Sequence, residues 1–257
     1  MNRFRRWPDE AAEPSGSIAY VDRSTRQGSE RGNLHHTLLT PYHHTPDYPY
    51  PLVVWLHGPD DDERQVCRVM PHVSLQSYLA VGPRGCCPPE LGHPGYQWLQ
   101  MDDAIHAAER RVLDSIDIAC SKHNVAEDRV FLAGYQCGGT MALRIGLRRP
   151  ELYAGAISIG GPFPERLGPI PQLRSARSLP MLIAQGRESE YYPAEKVCDE
   201  LRLFHAASLH VTLRTYPCGD ELLTNMLSDM HAWMMEQMNG VSQSTADNVH
   251  VYPGGRN

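Results

Sequence analysis

The stretch Arg129-Val-Phe-Leu-Ala-Gly-Tyr-Gln-Cys-Gly-Gly-Thr-Met-Ala142 constrains the fold of this chain more than any other. Val130 to Ala133 is an apolar run of the kind buried in a parallel sheet. Gly134 to Gly139 is a turn bracketed by glycines, and Thr140 to Arg149 predicts a helix that stops before Pro150. Glycines at these points let strand and helix pack closely. That packing pushes the middle residue, Gln136, to a strained and exposed summit.

The same alternation runs along the rest of the chain. Strands are expected at 18–21, 33–40, 51–56, 78–81, 154–159, 180–184 and 210–216. Helices are expected at 62–70, 102–124, 193–207 and 220–238; Ile105, Ala108, Val112, Ile116 and Ala119 mark the apolar face of the second. Strand and helix in turn predict an α/β fold with a doubly wound, mostly parallel sheet and helices on both faces. The stretches 82–100 and 162–179 are rich in Pro and Gly and read as loops, the second as a loop or small cap. A single domain over 17–239 follows, with mobile polar tails at 1–16 and 240–257.

Composition removes several function classes. A net charge of −6 with no basic block argues against nucleic-acid binding. No run reaches the roughly 18 apolar residues of a membrane span, and the basic start has no apolar core after it to make a secretory signal. Seven scattered cysteines read as free thiols of a cytoplasmic protein. No metal or other cofactor is expected. His35 and His36 would point to opposite faces of a strand and, with His43 and His44, read as surface residues. The run Asp60 to Glu63 reads as a solvated helix start rather than a metal site.

Taken together, the pieces resemble the carboxylesterase/phospholipase (acyl-thioesterase-like) branch of the α/β-hydrolase superfamily. The resemblance is carried by Trp55-Leu-His-Gly58, Arg129 to Gly139, Ala154 to Gly161, Leu182 to Pro193 and Tyr216 to Leu223, in that order. In that family the summit of the turn is the nucleophilic Ser of a Gly-x-Ser-x-Gly elbow, followed along the chain by Asp and then His. The resemblance places Gln136 at the Ser position, Ser189 at the Asp position and Asp220 at the His position. Ser attacks, His takes its proton and Asp orients the imidazole, so none of the three roles is filled by its usual group. The family draws one oxyanion donor from the residue after His57-Gly58, which here is Pro59 and has no N–H. The other expected donor is the N–H of Cys137.

The resemblance therefore implies a hydrolase fold with a degenerate triad. The expected role is ligand or partner binding, with a small acyl or lipophilic molecule as ligand. His57, Gly58, Tyr96 and Trp98 are the expected pocket residues, and Gln136 is expected to donate its amide hydrogens to the Asp220 carboxylate. One alternative keeps ester or thioester hydrolysis, with Cys137 as nucleophile at a helix N-terminus. Glu188 and Glu190 flank Ser189 and read as solvated loop acids, since without a His at position 220 a replacement acid would restore little, and His231 reads as a core or surface residue of the last helix. A second alternative is a structural partner of an active paralogue, in a homo- or hetero-oligomer.

Overall fold

The computed structural model describes residues 21–22, 25–28, 31–87, 95–165, 173–240 and 249–253. The expected N-terminal tail, and most of the expected C-terminal one, lie outside these residues, as do 88–94 and 166–172 of the two expected loops.

The centre of the fold is a pair of neighbouring parallel strands, β4 (Tyr50–Leu56) and β6 (Val125–Tyr135). Every residue of β4 is buried. Leu52, Val54 and Leu56 enter one apolar cluster and Val53 and Trp55 the other, so the strand's two-residue period feeds two cores. β5 (Leu79–Pro83) lies on the other side of β4. β7 (Gly155–Ile159), β8 (Met181–Gly186) and β9 (Val211–Tyr216) continue the parallel order beyond β6.

Helices cover both faces. On one side α2 (Asp102–Lys122), α3 (Cys137–Arg148) and α5 (Ala194–Ala207) bury Ile105, Val112, Met141, Ile145 and Phe204. On the other, α1 (Gln65–Val73) and α6 (Thr224–Met238) bury Val66, Met70, Leu227, Met230 and Trp233. Each large side chain so buried contributes roughly 1.5–3 kcal/mol. A short helix, α4 (Leu173–Ser178), forms within the second expected loop.

The two sheet edges depart from the sequence reading. β1 (Val21–Asp22) and β2 (Thr25–Gly28) both pair antiparallel with β3 (Arg31–Leu39), which in turn pairs antiparallel with β5. Thr25–Gly28 falls in the polar stretch that was expected to separate two strands, because a hairpin at an edge needs no apolar face. At the far edge β10 (Val249–Pro253) adds in parallel to β9, within the stretch expected as a polar tail. An edge strand offers a row of open N–H and C=O groups to such a segment. The surface reading of the histidines fails for His36, which is buried on β3; His43 is exposed and His44 stacks on Tyr50.

All parallel strands from β4 to β9 end on the same side. The turns after them gather Gly58, Gln136, Gly160, Ser189 and Asp220 around one crevice, as open α/β sheets place ligands.

Candidate active site

The turn between β6 and α3 is a true elbow. Gln136 sits at φ 46°, ψ −115°. A non-glycine residue held there costs about 1–3 kcal/mol. Its N–H donates to Ile159 O at 2.8 Å, and its carbonyl accepts from Thr140 N–H at 3.0 Å. The glycines are demanded by contact. A Cβ on Gly134 would lie 2.5 Å from the Gly138 carbonyl carbon and 2.7 Å from Leu56 O, and one on Gly138 would strike the carbonyls of Leu56 and His57. The backbone that in a serine hydrolase presents the nucleophile is thus fully formed, with an amide at its summit. Gln136 as a residue is 9% exposed, and its side chain makes no capping bond to the helix.

The two facing loops meet each other directly. After β8, Arg187 N–H donates to Tyr216 O and Glu188 N–H to Cys218 O, both at 2.9 Å. These bonds bring buried Ser189 against Asp220, and the Ser189 hydroxyl donates to Asp220 Oδ1. The same carboxylate accepts Glu190 N–H at 3.2 Å and Tyr191 N–H at 3.3 Å. Ser189 Oγ in turn accepts Tyr192 N–H at 2.8 Å. The Tyr135 hydroxyl donates to the Asp220 carbonyl and so ties the elbow to this pair. The expected Gln136–Asp220 bond does not form, because a hydroxyl and two backbone N–H groups already serve the carboxylate. Glu188 and Glu190 are exposed on the loop. His231 bonds Tyr78 at 3.0 Å, just before β5 begins and hence at the opposite end of the sheet.

The turn after β4 holds few donors for a developing oxyanion. Gly58 N–H donates to Gln65 Oε1 at 3.0 Å, and Pro59 has none to give. Cys137 opens α3, so its N–H has no acceptor within the helix. His57 is fully buried. It accepts Gly85 N–H on Nε2 at 2.9 Å, so the proton lies on Nδ1, which donates to Gly58 O at 2.7 Å. Burial lowers its pKa, and it is neutral. His57 is therefore a brace for the turn. Trp98 is buried beneath it and donates to His57 O at 3.1 Å. Tyr96 is half-buried, with the Arg84 guanidinium 4.7 Å above its ring and Arg84 paired to Glu63 at 2.5 Å. Of the expected pocket residues, His57 and Trp98 are thus wall supports.

Burial pushes the Cys137 thiol up to about 11, with nearby Asp60 adding to the effect. The helix N-terminus does not outweigh that burial, so the thiolate is scarce near neutrality. Tyr191, which the sequence reading passed over, is 47% exposed, and its phenol is pushed up to about 12 by burial and then by Cys137 and Asp220. Tyr135 and Tyr191 flank the summit and the Ser189 position, and their place next to those residues was the available signal. Among the described residues no three His, Cys, Asp or Glu side chains gather to hold a metal ion, and no helix is long and apolar enough to cross a membrane.

Comparison with known proteins agrees with this geometry. The chain resembles a carboxylesterase from Mesorhizobium loti at 19% identity, over 79% of this chain and 94% of that one, with a TM-score of 0.64. It resembles the Bacillus cereus carboxylesterase at 15% identity, over 79% and 94%, with a TM-score of 0.63. It resembles fluorophosphonate-binding serine hydrolase F of Staphylococcus aureus at 14% identity, over 85% and 99%, also at 0.63. At these identities the likeness is one of fold. No curated protein matches the chain. The model of the phospholipase/carboxylesterase family matches residues 47–243, most of the chain, from the start of β4 to beyond α6. With its sheet, its elbow and that match, the chain belongs to the phospholipase/carboxylesterase family of the α/β-hydrolase fold.

Proposed function

We propose that this family member no longer performs serine hydrolysis and uses the elbow crevice to bind a ligand or a partner. The observation that carries the reading is the bond from Ser189 to Asp220. In an active triad an imidazole at the second position takes a proton from the nucleophile. Here that position holds a carboxylate whose oxygens face a hydroxyl and two backbone N–H groups. The summit residue is an amide, which cannot attack a carbonyl carbon. Pro59 takes one oxyanion donor away, a loss that costs about 10²–10³ in rate where it has been measured.

A cysteine hydrolase built on Cys137 finds less support. Its thiol is pushed up to about 11, and no imidazole stands at position 220 to take the proton. Turnover of p-nitrophenyl butyrate and octanoate, together with labelling by a fluorophosphonate and by iodoacetamide, tests both readings. No turnover above buffer and no label at the elbow are expected. Turnover abolished by Cys137→Ala would establish the thiol route, and turnover lost with another crevice residue would defeat the non-hydrolytic reading.

A further inference from the structure

We propose that Glu200 is a proton-operated latch: protonated, it locks the two loops beside the elbow, 160–165 and 187–192, against α5, and charged, it frees them. The proposal stands whichever chemistry the elbow performs. Both loops converge on this one carboxyl. Its Oε1 accepts Phe163 N–H at 3.1 Å, and its Oε2 accepts the Tyr192 hydroxyl. Tyr192 N–H in turn donates to Ser189 Oγ at 2.8 Å, which links Glu200 to the contact between Ser189 and Asp220. The first loop lies just as close to the summit. A Cβ on Gly161 would lie 2.2 Å from Gln136 O, and Thr140 Oγ1 donates to Pro162 O at 2.7 Å. The Phe163 ring meets Phe204 of α5 edge-on, with centroids 4.9 Å apart.

The carboxyl is buried, with 7% of the residue exposed, and both groups that bond it are neutral. Its charged form therefore bears the cost of lost hydration. Burial raises its affinity for a proton; the bonds from Tyr192 and Phe163 and the charge of Lys196 pull the other way, and Glu165 adds to the rise. Lys196 lies one turn earlier on α5 and pairs with Glu165 at 2.7 Å, while Arg144 of α3 bonds the Glu165 carbonyl. The Tyr192 phenol is held far above its usual range, first by burial, and keeps its own proton. With a proton on Glu200, Oε1 still accepts from Phe163 and the acid O–H donates to the phenol oxygen, so both contacts survive without a buried charge. Without that proton, the carboxylate is best satisfied where water reaches it, and that requires the loops to move away from α5. The closed loops thus bind the proton more tightly than the open ones, and closing is favoured as the pH falls.

Amide exchange of the full chain between about pH 5 and about pH 8, corrected for the intrinsic rate at each pH, tests the proposal. Opening of 161–165 and 187–192 should increase with pH by up to about 10-fold per unit and level off above the folded pKa of Glu200, while α3 serves as the reference. Glu200→Gln fixes the neutral form, accepts from Phe163 and donates to Tyr192, and should keep both loops closed across the whole range. Tyr192→Phe removes a donor from the charged form, so the rise should move to higher pH. A flat profile in the unmodified protein, loops that open in acid instead, or a pH dependence that survives Glu200→Gln overturns the proposal. The unmodified protein alone decides the first two outcomes, so the test holds even if a variant fails to fold.

Discussion

The elbow and the pair of loops that face it are held in different ways. In the elbow Gln136 sits at φ 46°, held by glycines that admit no Cβ. In the facing loops Ser189 donates to the Asp220 carboxylate, and backbone N–H groups complete the contact. The first region is fixed by packing, since strand and helix cannot separate without opening two cores. The second is fixed only by hydrogen bonds between loops, and those can be exchanged for others of equal strength.

The contrast can be broken or sharpened by measurement. The largest effect is expected at Pro59. Gln136→Ser, Ser189→Asp and Asp220→His together restore the three side chains; adding Pro59→Ala restores an N–H in the turn. The four-fold variant should hydrolyse p-nitrophenyl butyrate up to about 10²-fold faster than the three-fold one. A ratio near one would mean that the turn after β4 no longer aims its N–H at the summit. Gly134→Val forces side-chain atoms against Gly138 and Leu56 and should cost about 3 kcal/mol in urea unfolding. Asp220→Ala leaves a hydroxyl and two N–H groups without their acceptor and should cost about 1–2 kcal/mol, with faster amide exchange confined to 187–192. If that loss equals the one from Gly134→Val, the loops are as rigidly held as the elbow.

Two smaller effects remain. His57 has its folded pKa lowered by burial, so below about pH 6.5 the unfolded chain takes up a proton that the folded one refuses. Stability should therefore fall as pH drops from 7 toward 5, by at most about 1.4 kcal/mol per pH unit from this residue, and His57→Asn should flatten the slope. Gln136→Gly should act in the other direction and raise stability by about 1 kcal/mol through relief of strain. A loss of stability in that variant would show that the packing of the Gln136 side chain outweighs the strain at the summit.

Much of this was legible in the sequence, for identifiable reasons. The central strands are apolar on both faces and the elbow is spelled by glycines, so the order of elements could be read directly, and Gln136, Ser189 and Asp220 lie in turns at one end of the sheet. The edges could not. Thr25–Gly28 and Val249–Pro253 are strands because a neighbouring edge offers them backbone partners, and backbone pairing leaves little trace in side-chain pattern. Within the site, choosing between Gln136 and Ser189 as the partner of Asp220 depends on which side chain the fold brings closer. His57 looked like a pocket residue because it follows a strand. Its two ring bonds, to Gly58 and Gly85, come from segments far apart in the chain and make it a brace.

The bond between Ser189 and Asp220 also couples the two positions to each other. A carboxylate at position 189 alone would set two negative groups side by side, a repulsion worth avoiding at this spacing. An imidazole at position 220 alone would take away the carboxylate that three donors share. Substitutions at the two positions are therefore expected to be non-additive, each tolerated best with a matching change at the other.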